Sequence, residues 1–185
     1  MLKLSRPVGG TPQKTIAVKP RSDNPQRGLL NFCGITYPCA LGRSGITANK
    51  QEGDGATPIG TFEFLDVYYR DDRGGRPETY LPTQAITSID GWCDDVTKDE
   101  YNRPVELPYS GSHEKMWRED RLYDIVVVLN QNLFPALKGA GSAIFFHIAR
   151  EGFLPTEGCV AVYPDVMRHI LKQLKAGDVM QISSY

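Results

Sequence analysis

The sequence predicts a mainly β fold (α+β), with one or two helices packed against mixed sheets, and three observations predict it. Gly and Pro are frequent, 18 and 13 of 185 residues, and many stand between short apolar runs, which means many turns and short strands. Several apolar or alternating segments of strand length follow one another, the clearest being residues 61–69, Thr-Phe-Glu-Phe-Leu-Asp-Val-Tyr-Tyr. Only one segment has a convincing helical period.

In chain order, residues 1–14 are polar and Gly/Pro-rich and read as an N-terminal arm. A single domain then runs from 15 to 185. Residues 15–18, 28–33 and 35–41 are strands, the last two joined by a turn at Gly34. A polar loop follows through Asp54, then a turn at Thr57-Pro58-Ile59-Gly60 and the strand 61–69. Residues 70–122 hold Pro77, Pro82, Pro104, Pro108 and both tryptophans with little periodicity. So long an irregular segment inside a domain reads as a functional insertion, a lid or substrate wall. Strands return at 124–130, 143–149 and 158–162. Pro164 suits a first helical position, and Val166, Met167, Ile170, Leu171 and Leu174 share one face. Gly177 ends that helix and residues 178–183 close the chain as a strand.

Composition excludes several classes. Hydrophobic residues at 41% and charged residues at 23% are ordinary for a globular domain. A net charge of -1 with scattered basic residues argues against nucleic acid or an anionic membrane as partner. No apolar run approaches a transmembrane span, and the start, with positive charge but no apolar stretch behind it, is not a secretory signal as written. The four cysteines, Cys33, Cys39, Cys93 and Cys159, show no zinc-type spacing, so a structural zinc site is not expected. Cys33, Cys39 and Cys93 read most simply as buried small residues, with a Cys39–Cys93 disulfide open in an oxidising compartment.

The informative stretch runs from Ser142 to Val160. His147 lies near the end of an apolar strand, a Gly/Pro loop follows, and Gly158-Cys159 opens the next extended segment. A thiol needs a base, and imidazole titrates near neutral pH. Twelve positions separate the two residues, enough to leave one strand and return beside it. Gly158 would let a substrate carbonyl approach the backbone, with the N–H groups of Gly158 and Cys159 as an oxyanion hole. On spacing alone, a buried structural cysteine and a nucleophile both remain open.

His147 followed by Thr156-Glu157-Gly158-Cys159 resembles the signature of the YkuD-type L,D-transpeptidases, a strand histidine and a Ser/Thr-x-Gly-Cys motif. Upstream, Thr57-Pro58-Ile59-Gly60-Thr61-Phe62 resembles the same family's Thr-Pro-x-Gly-x-Phe turn. The resemblance implies a YkuD-like β-sandwich, with Cys159 as nucleophile, His147 as base and the Ile148 carbonyl as its orienter. It implies peptidoglycan stem peptides and glycan strands as partners, acyl transfer to the side-chain amine of meso-diaminopimelate with no metal or organic cofactor, work in the periplasm, and acylation by carbapenems. Ile148, Glu157 and Ala161 stand where common members carry Gly or Ser, His and Arg, and the His-to-Cys spacing is shorter than usual. Gly91 to Asp95 and His113 to Arg118 resemble segments of an alpha- and betaproteobacterial branch in which links run from L-Ala to diaminopimelate, 1,3 rather than 3,3. Candidate substrate contacts are Thr156, Arg43, His113, Glu114, Trp117, Arg118 and Trp92, with Asn102 and Arg103 behind them. The alternatives are an L,D-carboxypeptidase or endopeptidase on the same Cys–His site and a non-catalytic wall-binding module. An activated thiol at Cys159 would be alkylated faster than the other three.

Overall fold

The computed structural model describes residues 1–10 and 14–184. Among these the chain forms fourteen strands and one α-helix. They are β1 (Thr15–Arg21), β2 (Asn24–Phe32), β3 (Ile35–Ala40), β4 (Ile46–Thr47), β5 (Thr57–Pro58), β6 (Gly60–Tyr69) and β7 (Thr83–Ala85). There follow β8 (Asp90–Cys93), β9 (Pro104–Glu106), β10 (His113–Lys115), β11 (Ile125–Leu129), β12 (Phe145–Ile148), β13 (Val160–Val162), α1 (Pro164–Leu171) and β14 (Val179–Ile182).

Nine strands make one mixed sheet, in the order β11-β12-β13-β3-β2-β1-β14-β6-β7. The ten-residue β6 folds that sheet back on itself. Its first part, Gly60 to Glu63, pairs with β14, and its later part, from Phe64 to Tyr69, pairs with β11. Apolar side chains from the facing halves meet inside. Ile16 and Val18 of β1 and Leu30 and Phe32 of β2 alternate inward, and Met167, Ile170 and Leu171 of α1 pack onto the same core.

β11 and β12 do not alternate, because both of their faces are buried. Ile125, Val127 and Leu129 face the first core, whereas Val126 and Val128 face a second one with Tyr68, Trp92, Met116, Tyr123 and Phe145. The residues that cover this second face come largely from 70–122. That segment is more regular than its sequence suggests. β7 joins the edge of the large sheet, and β8, β9 and β10 form a three-stranded sheet of their own. Strands of three or four residues, one beginning at Pro104, are too short to show a period of two.

The N-terminal arm lies along β6. Leu2 is buried in the second core, Ser5 bonds the Asp66 carboxylate through N–H and hydroxyl at 2.6 and 2.7 Å, and Val8 N–H donates to Glu63 at 2.9 Å. α1 stops at Leu171, short of the predicted end at Gly177. Buried Asp178 accepts the N–H groups of Lys175 and Lys14 at 3.1 and 2.9 Å, which holds the chain in a turn instead of a further helical turn. The possible Cys39–Cys93 disulfide is not formed. All four cysteines are free, Cys39 in the first core and Cys93 at the end of β8 beside the Tyr109 hydroxyl.

A tight crossing near Gly42 fixes the loops at one end of the sheet. A side chain there would meet Gly55 O at 2.3 Å and Thr57 N at 2.8 Å. Both obstacles are backbone, so Gly42→Ala is expected to lower unfolding free energy by about 2–3 kcal/mol, the upper part of the overpacking range. At about 2–4 °C per kcal/mol for a chain of this size, thermal melting should show a loss of several degrees. An unchanged midpoint would contradict the crossing.

Candidate active site

β12 and β13 run parallel, with Phe146 opposite Val160 and His147 opposite Ala161. Side chains alternate across this pair. Phe146, Ile148, Val160 and Val162 enter the first core, while Phe145 and Cys159 belong to the second. His147, two positions from Phe145, shares that second side, its ring edge-on to Tyr123 at 5.5 Å. The register therefore puts imidazole and thiol on one face, at the rim of one cleft that both line.

The turn before Cys159 is built by both sequence motifs. Gly158 has φ +133°, and a Cβ there would sit 2.8 Å from Ala56 O, so the position requires glycine. Thr57 is fully buried, and its Oγ1 accepts the Gly42 N–H at 2.8 Å and reaches the Cys159 carbonyl at 3.5 Å. Thr156 Oγ1 donates to that carbonyl at 2.7 Å and accepts the Gly158 N–H at 3.2 Å. Thr156 lines the cleft, but its hydroxyl is spent on the chain's own turn, and so is one of the two N–H groups expected of an oxyanion hole.

Cys159 is only 7% exposed. Its Sγ donates to Ala143 O at 3.2 Å and accepts from Phe145 N–H at 3.3 Å. The first contact favours the thiol, the second a thiolate. Burial, reinforced by the charge of Glu114, pushes the thiol up to about 12. His147 is buried too, and its Nδ1 lies 2.9 Å from Ile148 O. A carbonyl only accepts, so Nδ1 carries the proton and Nε2 keeps a free lone pair. Burial holds the imidazole down to about 4, against the upward pull of the Ile148 bond, with the charges of Arg118 and Arg150 adding to the lowering. Both groups are neutral at rest, and the thiol bonds Ala143 and Phe145 rather than His147.

Ala143 itself adopts φ +51°. Asn102 holds it there, since its Oδ1 accepts the Ala143 N–H at 3.0 Å and the Trp92 indole N–H at 2.9 Å. The segment 70–122 thus reaches the sulfur through one side-chain amide.

The other predicted contacts divide. Glu114 and Arg118 line the cleft. Glu114 is bonded by the Tyr123 hydroxyl and is pushed up by burial, while Arg118 lies over the Tyr123 ring at 5.0 Å and pairs with Asp120 at 2.7 Å. Trp92 is 1% exposed and edge-on to Phe145 at 5.0 Å, a core anchor instead of a substrate wall. Trp117 stacks under the Arg70 guanidinium at 3.4 Å. His113 Nδ1 bonds Gly111 O at 2.8 Å, and Arg43 pairs with Glu157 at 2.6 Å. Arg103 lies over the Phe134 ring at 4.9 Å. None of these five lines the cleft; Arg150 and Tyr123 do, though no motif marked them. No group of three or more His, Cys, Asp or Glu suited to a metal occurs among the described residues.

A family model described as YkuD, L,D-transpeptidase catalytic domain, matches residues 34–182. Among solved structures, L,D-transpeptidase 1 of Mycobacterium tuberculosis is similar at 13% identity and TM-score 0.38, over 93% of this chain and 63% of that one. An L,D-transpeptidase (Yku) from Stackebrandtia nassauensis is similar at 14% identity and TM-score 0.39, over 98% and 58%. The chain thus spans less than two thirds of either. No curated protein matches it.

Burial predicts a different order of alkylation from the one expected of an activated thiol. Cys33 is the one exposed cysteine, and Cys159 is shielded, with burial pushing its thiol up. With substoichiometric iodoacetamide at neutral pH, peptide mapping should find Cys33 modified first. Faster modification of Cys159 would mean that the thiol is ionised at rest.

Proposed function

The chain belongs to the YkuD family of L,D-transpeptidase catalytic domains, and we propose that it cross-links peptidoglycan in the periplasm through an acyl-enzyme on Cys159. The observation that carries this reading is the pairing of β12 with β13, which sets a buried thiol and an imidazole with a free Nε2 on one face of one cleft.

The neutral resting pair dictates how the chemistry starts. A thiol near 12 and an imidazole near 4 do not exchange a proton unaided. Transfer from Sγ to Nε2 is therefore coupled to attack on the donor carbonyl, after side-chain rotations bring the two groups together. The tetrahedral intermediate collapses, the C–N bond breaks, and His147 returns the proton to the leaving amine. A thioester remains. The acceptor amine attacks it, its proton passes through His147, and Cys159 leaves with the hydrogen restored. The Ile148 carbonyl holds the ring in one tautomer throughout.

The acceptor we assign is the side-chain amine of meso-diaminopimelate, and the link we favour joins L-Ala to it. The altered neighbours Ile148, Glu157 and Ala161 support a donor carbonyl other than the usual one. Arg118 and Arg150, on the cleft wall near Ala161, supply cationic guanidinium groups where the Arg two residues after the cysteine is missing.

Purified muropeptides incubated with the protein should yield cross-linked dimers by mass spectrometry, and fragmentation should place the bond on L-Ala. Trimmed monomers alone would assign hydrolysis instead, and dimers from Cys159→Ala would overturn the reading. His147→Ala should slow acylation by about 10²–10⁴-fold, the usual worth of a positioned base. Because the unprotonated ring is the active form and burial holds it near 4, kcat/KM should rise with pH through about 4 and be flat by pH 6. An acid limb near 6.5, the unperturbed value, would show an imidazole exposed to water.

A carbapenem should add its own mass to Cys159 alone, slowly because the sulfur is shielded. Labelling that survives Cys159→Ala would remove this cysteine from the chemistry.

A further inference from the structure

The cleft wall that carries Arg118, Leu122 and Tyr123 belongs to no strand or helix. Before it, Met116 N–H donates to Asp90 O at 3.0 Å, and at its end Leu122 O accepts the Ile148 N–H at 3.1 Å. Between these two anchors, residues 117–120 make no backbone–backbone hydrogen bond among the described residues. Carbonyls held away from water need donors, and here the donors are side chains. Arg70 Nη1 donates to Arg118 O at 2.7 Å, and Arg73 Nη1 lies 3.2, 3.2 and 3.1 Å from the carbonyl oxygens of Arg118, Glu119 and Asp120. Three successive carbonyls converge on two guanidinium groups.

Both groups are themselves held. Arg70 directly follows β6 and is 3% exposed. Its Nε and Nη2 bond the Asp72 carboxylate at 2.8 and 2.7 Å, its guanidinium lies over the Trp117 ring at 3.4 Å, and its own N–H donates to Asp124 O at 3.0 Å. Arg73 meets Asp124 at 3.4 Å and Glu119 at 3.7 Å. A planar fork with five donors serves a carboxylate and a carbonyl at once, which a single ammonium on a flexible stem does not. Neither side chain lines the cleft, so any effect on a substrate passes through residues 118–120.

We propose that Arg70 and Arg73 are positioning residues, which clamp the backbone of 118–120 so that the Arg118 guanidinium meets a carboxylate of the substrate stem in one fixed place. The assignment rests on the transpeptidase reading and adds the residues that make its cleft wall rigid. Arg118 Nε and Nη2 bond Asp120 at 2.8 and 2.7 Å, and the clamp holds the carbonyls of both partners. The Arg118 Nη1 has no hydrogen-bond partner among the described residues and keeps its donors for a ligand. The same guanidinium lies over the Tyr123 ring at 5.0 Å, and that ring stands edge-on to His147 at 5.5 Å. A carboxylate bound to Arg118 is thereby set at a fixed distance from the imidazole. Without the clamp, Arg118 and Asp120 would drift together as a pair, and the carbonyl awaiting attack would drift with the stem.

The test compares two donor stem peptides, one with its carboxylates free and one with them amidated. Intact-mass measurement of the acyl-enzyme gives kcat/KM for each, and their ratio is the selectivity for a charged stem. Both stems are read on one protein sample, so a lowered folded fraction cancels. Arg118→Gln should abolish the selectivity. Arg73→Gln should lower it about tenfold, through a higher KM for the free acid at unchanged kcat. Arg73→Lys and Arg70→Lys, which keep the charge without the fork, should lose part of it. Arg73→Gln combined with Arg118→Gln should lose no more than Arg118→Gln alone. A purely structural role would slow both stems equally. A ratio unchanged in the Arg70 and Arg73 variants, or an unaltered protein indifferent to the carboxylates, overturns the clamp and leaves the transpeptidase reading standing. Failure of the unaltered protein to form an acyl-enzyme with either stem overturns both.

Discussion

Parallel neighbours in a sheet need a crossover, commonly of a dozen residues or more. Between β12 and β13 the chain has only eleven, residues 149–159, and no α-helix among them. So short a path must hug the end of the sheet, where Arg43 N–H donates to Thr156 O at 2.8 Å and Thr156 N–H to Leu41 O at 2.9 Å. The crossover delivers Cys159 at the mouth of β13 with no freedom to choose its face. From that constraint follow the shared side of His147 and Cys159, the need for glycine at 158, and the burial that keeps both groups neutral.

The opposite face of β11 and β12 would be open without residues 70–122. That segment does more than cover. Through Trp92 and Asn102 it sets the left-handed Ala143, and through Ala143 it sets the sulfur's hydrogen-bond acceptor. Through Glu114 it supplies a carboxylate to the wall of the cleft. The two motifs fix the turn from one side, and the second core fixes the thiol from the other.

Much of this was legible in the residues. Outside residues 70–122, strands of four or more residues announced themselves by alternation or by continuous apolar runs, and Pro164 marked the start of α1. His147, Cys159 and the Ile148 carbonyl were singled out through the resemblance to a family signature, and the strand register brings imidazole and thiol to one face. The contacts of residues 70–122 were not. Short strands carry no period, and whether Trp92 fills a core or lines a cleft depends on partners distant in sequence, Asn102 and Phe145. Arg150 gave no signal, since an isolated cation reads as surface until a fold places it in a cleft. The end of α1 was misread because Asp178 stops it from outside the helix.

The dependence of Ala143 on Asn102 bears on protein engineering. Grafting the His147-to-Cys159 segment into another β scaffold would carry the imidazole, the thiol and the tight turn. It would not carry the amide that holds residue 143 at positive φ, which comes from 41 positions upstream. Without that amide the backbone carbonyl is free to swing away and the transplanted sulfur loses its fixed rotamer. The portable unit is therefore the segment together with the small sheet of β8 to β10, and a minimal catalyst cut down to the motif alone would hold its thiol in no single position.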